Sequence, residues 1–129
     1  MKLDFQVKLN FKGREVTEAV KKAAQLAMRD TVVDITNDAV HGSPVKTAQN
    51  RRSLVCEVSG LGIAYQGEEA EPERVVDDSK LEGAVYSTSG YGGFLETGTS
   101  KMAARPYIKP AADRHAPKFP DHLRERLRA

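Results

Sequence analysis

The sequence predicts an α+β fold: one long helix packed on an antiparallel β-sheet, with a short C-terminal helical region. Two changes of period carry that expectation. Apolar residues alternate with polar ones near the N-terminus, and then recur at helical spacing for more than six turns. A third observation is the C-terminal end, where helix-forming stretches are divided by prolines.

The elements follow in order. Leu3, Phe5, Val7, Leu9 and Phe11 alternate with Asp4, Gln6, Lys8 and Asn10, the period of a strand with one buried face. Lys12-Gly13 ends it. From Arg14 to about Val40, Val16, Val20, Ala23 and Ala27 form one helical stripe, flanked by Ala19, Leu26 and Val33. Glu15 and Glu18 suit the positive end of the helix dipole, and His41-Gly42-Ser43-Pro44 is a stop. Ser53 to Ser59 reads as a second strand, continued from Leu61 to Tyr65 after Gly60, and Leu81 to Thr88 as a third. Between them, residues 67–80 hold six acids, one proline, and only Val75 and Val76 as anchors. That acidic loop reads as a mobile hairpin tip or as a segment ordered by a partner. Pro106 can open a helix, His115-Ala116 reads as a break, and Asp121 to Arg128 forms a final helix with Leu123 and Leu127 on one face.

Composition removes several classes. A chain of 129 residues, 40% hydrophobic and 29% charged, makes one domain over 1–129 with a modest, largely aliphatic core. One cysteine permits no internal disulfide, and no cysteine cluster suggests a structural zinc site. These features suit a reducing cytoplasm, and no apolar run is long enough to span a membrane. The net charge of +2 conceals a division. Residues 1–65 hold ten basic and seven acidic side chains, residues 66–97 two and eight, and residues 98–129 eight and three. Such opposed segments read either as solvated faces or as complementary patches that dock copy against copy.

No catalytic constellation is legible. Ser43, Ser53 and Ser100 lie in no nucleophile elbow, and His41, His115 and His122 show no partner pattern and read as exposed or capping side chains. Cys56 reads as a small core residue of its strand. Glu68-Glu69 and Asp77-Asp78 sit in a polar loop that does not desolvate them. Gly90-Tyr91-Gly92-Gly93 lacks the residues of a phosphate-binding loop. The expectation is therefore a protein that is not an enzyme, with no cofactor and no metal. Arg51, Arg52 and the basic C-terminal segment with Arg124, Arg126 and Arg128 leave an alternative open, a small DNA- or RNA-binding regulatory protein.

The densest run of special residues is Tyr91, Phe94, Leu95, Glu96, Gly98, Thr99, Ser100, Lys101, Met102, Arg105, Pro106, Tyr107, Ile108, Pro110 and Ala111. A second stretch, after the long helix, is Ser43-Pro44-Val45-Lys46-Thr47-Ala48-Gln49-Asn50-Arg51-Arg52-Ser53. In this order the two stretches resemble the small head–tail connector proteins of long-tailed bacteriophages, the neck, tail-completion and minor tail components. The second stretch departs from the family pattern at Ala48, where glycine is usual, and at Asn50, where leucine is usual.

The resemblance covers roughly residues 14–115 and implies a structural virion protein. Such a subunit joins others of its kind in a ring, six-fold on the family pattern, at the head–tail junction. The ring completes or caps the tail, contacts adjoining head-closure, connector and tail-tube proteins, and passes DNA without sequence recognition. Assembly in the host cytoplasm, with no membrane, goes with it. Tyr91, Phe94, Glu96, Gly98, Thr99, Arg105 and Pro106 are then candidates for a fold-and-interface corner, and Glu68, Glu69, Asp77 and Asp78 for a second contact.

Overall fold

A computed structural model describes residues 6–10, 18–42, 52–88 and 107–128. The chain is α+β. Strand β1 (Gln6–Asn10) precedes helix α1 (Glu18–Gly42), and strands β2 (Leu54–Val58), β3 (Gly62–Gln66) and β4 (Glu82–Ser87) follow. Helix α2 (Ile108–His115), a 3₁₀ turn (Ala116–Lys118) and helix α3 (Phe119–Arg128) complete it. The strands form one antiparallel sheet in the order β1-β4-β2-β3.

Helix α1, about 37 Å long at roughly 1.5 Å per residue, lies along one face of this sheet. It packs Met28, Val32, Ile35 and Ala39 against Leu54, Cys56, Val58 and Val85, with Ala24 and Ala27 also buried, while Tyr107, Ile108, Ala111 and Ala112 close the layer from α2. The buried stripe extends further along α1 than the alternation of Ala23 and Ala27 predicts, and Ala19 is exposed. Two polar residues belong to it. Thr31 Oγ1 donates to the Ala27 carbonyl and Thr36 Oγ1 to the Val32 carbonyl, at 2.9 and 2.7 Å, so neither buried hydroxyl is left unsatisfied. The helix sits close because β4 carries Gly83, where a Cβ would stand 2.7 Å from Val32 Cγ1 and 2.8 Å from Met28 Cγ. At the helix end, His41 Nδ1 donates to the Asn37 carbonyl, 2.7 Å away, which is the capping role its position predicts.

Two elements differ from the sequence reading. Residues after Gly60 do not continue β2. They turn back as β3, because Gly60 and Gly62 adopt φ of +78° and +86°, a conformation that reverses the chain at little cost only for glycine. Pro110 does not limit α2. It falls in the first turn, where its missing N–H has no intrahelical acceptor to lose. The break at His115-Ala116 is present as the 3₁₀ turn, with Pro117 inside it.

The acidic loop is not a projecting hairpin tip. Residues 67–80 fold back as a strap across the other face of the sheet, where Ala70, Val75 and Val76 pack on Val55, Ala84 and Tyr86. Gly67 starts the strap against the backbone, since a Cβ there would lie 2.1 Å from the Arg52 carbonyl oxygen. The chain's own groups order it. Gly67 N–H donates to the Leu54 carbonyl and Glu69 N–H to the Arg52 carbonyl, both at 2.9 Å. The sheet is therefore a middle layer, with helices on one side and the strap on the other.

Candidate functional site

Alternation along β2 and β4 sends Leu54, Cys56, Val58 and Val85 to the helices, and Val55, Glu57, Glu82, Ala84 and Tyr86 to the strap. Glu57 is thus fully buried in mid-sheet. A carboxyl group buried there needs hydrogen-bond partners. Val76 N–H donates to Glu57 Oε1 at 2.9 Å, and Tyr86 O–H donates to Glu57 Oε2 at 2.7 Å. The Tyr86 oxygen also accepts the Glu73 N–H at 3.0 Å. One residue along the strap, Asp77 N–H donates to Glu82 Oε1 at 2.9 Å. The strap therefore turns backbone amides to the sheet and carboxylates to water. Burial, and then the bond to Glu57, raises the Tyr86 phenol above its ordinary value.

The predicted acidic residues separate into two ends of this strap. Glu68 and Glu69 lie at its start, where Glu69 Oε2 meets Arg52 Nε at 2.7 Å. Asp77 and Asp78 lie at its end. Asp77 Oδ1 accepts from Ser79 N–H and Oγ, and Asp78 Oδ1 accepts from Gly60 N–H at 3.0 Å and from Arg74 at 3.0 Å. Arg74 reaches that bond from a left-handed backbone conformation, φ +56°. All four carboxylates are exposed, as the sequence implies. Tyr91, Phe94, Glu96, Gly98, Thr99, Arg105, Pro106 and Arg51 lie outside the described residues.

A second cluster was not anticipated. Asp30, Asp34 and Asp38 recur every fourth residue on α1 and so share one face. Opposite them stand bases from α2 and α3. Arg126 donates twice to Asp30, Nε at 2.8 Å and the terminal nitrogen at 2.7 Å. His122 Nε2 donates to Asp34 at 3.0 Å, and Asp38 accepts from Arg114 Nε at 2.7 Å and His115 Nε2 at 2.9 Å. Two of the three histidines are thus half-buried and paired, which corrects their reading as exposed or capping groups. The Arg126 hydrogen bond holds Asp30 below its ordinary value against the opposing effect of burial, and the Arg114 bond does the same for Asp38.

This ladder fastens α3, which has no fully buried residue of its own. Leu123 is half-buried and Leu127 exposed, so the expected leucine face is only partly formed, and Phe119 is the side chain of α3 that packs on the core. An imidazole oriented by a carboxylate also occurs in nucleophilic catalysis. Among the described residues, however, no Ser, Thr or Cys hydrogen-bonds either histidine. Cys56 is buried, and burial pushes its thiol up to about 11 despite a hydrogen bond with Thr36. No group of three or more His, Cys, Asp or Glu side chains suited to a metal ion occurs among the described residues. No described helix is long and apolar enough to cross a membrane.

The basic residues of the nucleic-acid alternative are largely engaged within the chain. Arg52 pairs with Glu69, Arg124 with Asp121 and Arg126 with Asp30. A third surface feature is the β2–β3 hairpin, where Leu61 in the turn and Ile63 on the outer strand are exposed. No family model, curated protein sequence or solved structure matches the chain.

Proposed function

We propose that this chain is a structural subunit of the head–tail junction of a long-tailed bacteriophage. Copies assemble as a ring, six-fold on the pattern of the family it resembles. The ring completes or caps the tail, joins it to the capsid neck and leaves a channel through which DNA passes. The observation that supports this best is the contrast between the two outer layers. The strap carries six acidic and two basic side chains, and the three helices carry seven acidic and eight basic. The two layers lie on opposite faces of the sheet, so the two sides of the subunit differ in charge. Contacts between unlike surfaces close into rings when the rotation allows, and complementary charge guides them.

The regulator alternative draws less support, because Arg52, Arg124 and Arg126 already have carboxylate partners. Disrupting the gene in the phage tests the proposal. The expected result is filled heads and separate tails that do not join, rescued by supplying the protein in trans. Normal yields of joined, infectious particles without the protein would contradict it.

A further inference from the structure

We infer that a second copy of this chain adds its β1 to the outer edge of β3, so that the sheet continues from subunit to subunit. This rests on reading the chain as a ring subunit and names the contact that would build the ring.

The two ends of the sheet are β1 and β3. Among the described residues, neither has a strand on its outer side. Exposed edge strands are usually protected by charge or proline. β3 is Gly-Ile-Ala-Tyr-Gln and has neither. Its register with β2 shifts by one residue at Ala64, which adds twist without blocking the edge. Ile63, on this strand, and Leu61, at its entry, are two of the three large hydrophobic side chains exposed among the described residues. An apolar, uncharged edge left open is a pairing surface.

Topology and charge select the occupant. Every neighbouring pair of strands is antiparallel, and the sheet has an even number of them, so β1 and β3 point in opposite directions. A copy related by rotation about an axis along the strands keeps its strand directions. It therefore offers β1 antiparallel to β3, which is the better hydrogen-bonded arrangement. The two strands match in length, five residues each.

The rival is a two-fold pairing of β3 with β3. It would place two acidic straps on one face beside the joint, since β3 runs directly into Gly67-Glu68-Glu69. β1 holds one cation, Lys8, and no acid, and residues 2–14 together hold four bases, Lys2, Lys8, Lys12 and Arg14, against one acid, Asp4. Charge thus favours β1 against β3 over β3 against itself.

The test uses the full chain, with mass measured by light scattering and native mass spectrometry over a rising concentration series. Wild type is expected to form a closed species of more than two copies. Ile63→Lys should weaken assembly at least tenfold while keeping its circular dichroism and melting temperature. Leu127→Lys, at a still more exposed leucine on α3, should assemble as wild type does. As a second measurement, Ile63→Cys is combined with a cysteine at each of positions 6–10 in turn. Oxidation should yield cross-linked ladders at alternate positions of β1.

Assembly unaffected by Ile63→Lys would overturn the inference while leaving a ring built by other contacts. So would disulfide-linked dimers through residue 63 alone. Rings that form as expected in a protein absent from particles would instead overturn the junction reading.

Discussion

Replacing Tyr86 by Phe removes one oxygen that makes two hydrogen bonds, one within the sheet and one to the strap. That oxygen donates to Glu57 Oε2 at 2.7 Å and accepts from Glu73 N–H at 3.0 Å. The aromatic ring and its packing against Val55 and Ala84 stay in place, so no cavity of note opens. What is lost is satisfaction of a fully buried carboxyl oxygen, which costs about 1–3 kcal/mol, and one amide bond worth about 1 kcal/mol. The expected loss is about 3 kcal/mol, a large share of the roughly 5–15 kcal/mol that holds a domain of this kind. Urea titration followed by circular dichroism reads it, and amide exchange at Glu73 and Val76 should quicken together.

A double-mutant cycle sharpens the test. Glu57→Leu should be costly alone, because Val76 N–H loses its acceptor. Combined with Tyr86→Phe, it should cost less than the sum by at least about 1 kcal/mol, because each change removes the other's orphan. A Tyr86→Phe protein within about 0.5 kcal/mol of wild type, with unchanged exchange of both amides, would refute the reasoning.

Three further outcomes follow from the same structure. Gly83→Val should destabilise the protein by more than about 2 kcal/mol in urea titration, since even a Cβ would stand 2.7 Å from Val32 and 2.8 Å from Met28; a stable Gly83→Val protein would mean that α1 does not rest on β4. Asp30 and Asp38 are held below their ordinary value of 3.8, so the stability they contribute is present above that pH and lost as pH falls through their lower folded values. The double variant Asp30→Asn/Asp38→Asn should therefore be less stable at pH near 7 and lose less on going to about pH 2, whereas an acid limb like that of wild type would contradict the ladder. The Cys56 thiol, buried and raised to about 11, should resist a disulfide reagent at about pH 8 until the protein unfolds, because only about one thiol in a thousand is ionised there; rapid labelling of the native protein would show the core to be open at β2.

The sequence displays those features that depend on periodicity. The alternation around Gln6–Asn10, the long helical run and the break at Pro117 each have a local cause, and each has its counterpart in the fold. The face of α1 was less legible. Ala19, Ala23, Ala24 and Ala27 share one broad arc of its first turns, yet Ala19 is exposed and the others are buried, so alanine spacing fixes a helix without fixing the limits of its buried side. Thr31 and Thr36, polar by type, belong to the buried side because they satisfy themselves on the preceding turn.

The strap was hidden for a different reason. Six acids in a short stretch signal solvent, and that is where the side chains lie. The contact is made by backbone amides, which leave no mark in the sequence, and by Glu57 and Tyr86 on strands that read as ordinary. The histidine pairs show the same limit. The four-residue spacing of Asp30, Asp34 and Asp38 is visible, but His115, His122 and Arg126 reach them only once α2 and α3 have folded back along α1.

The central claim is that this chain is a ring subunit between phage head and tail. Cryo-electron microscopy of intact particles, at a resolution that traces the strap and the four-stranded sheet, tests it most directly. The account predicts a ring of copies between the portal and the tail tube, surrounding an open channel. Particles that are joined and complete, and in which this chain has no place, would contradict it.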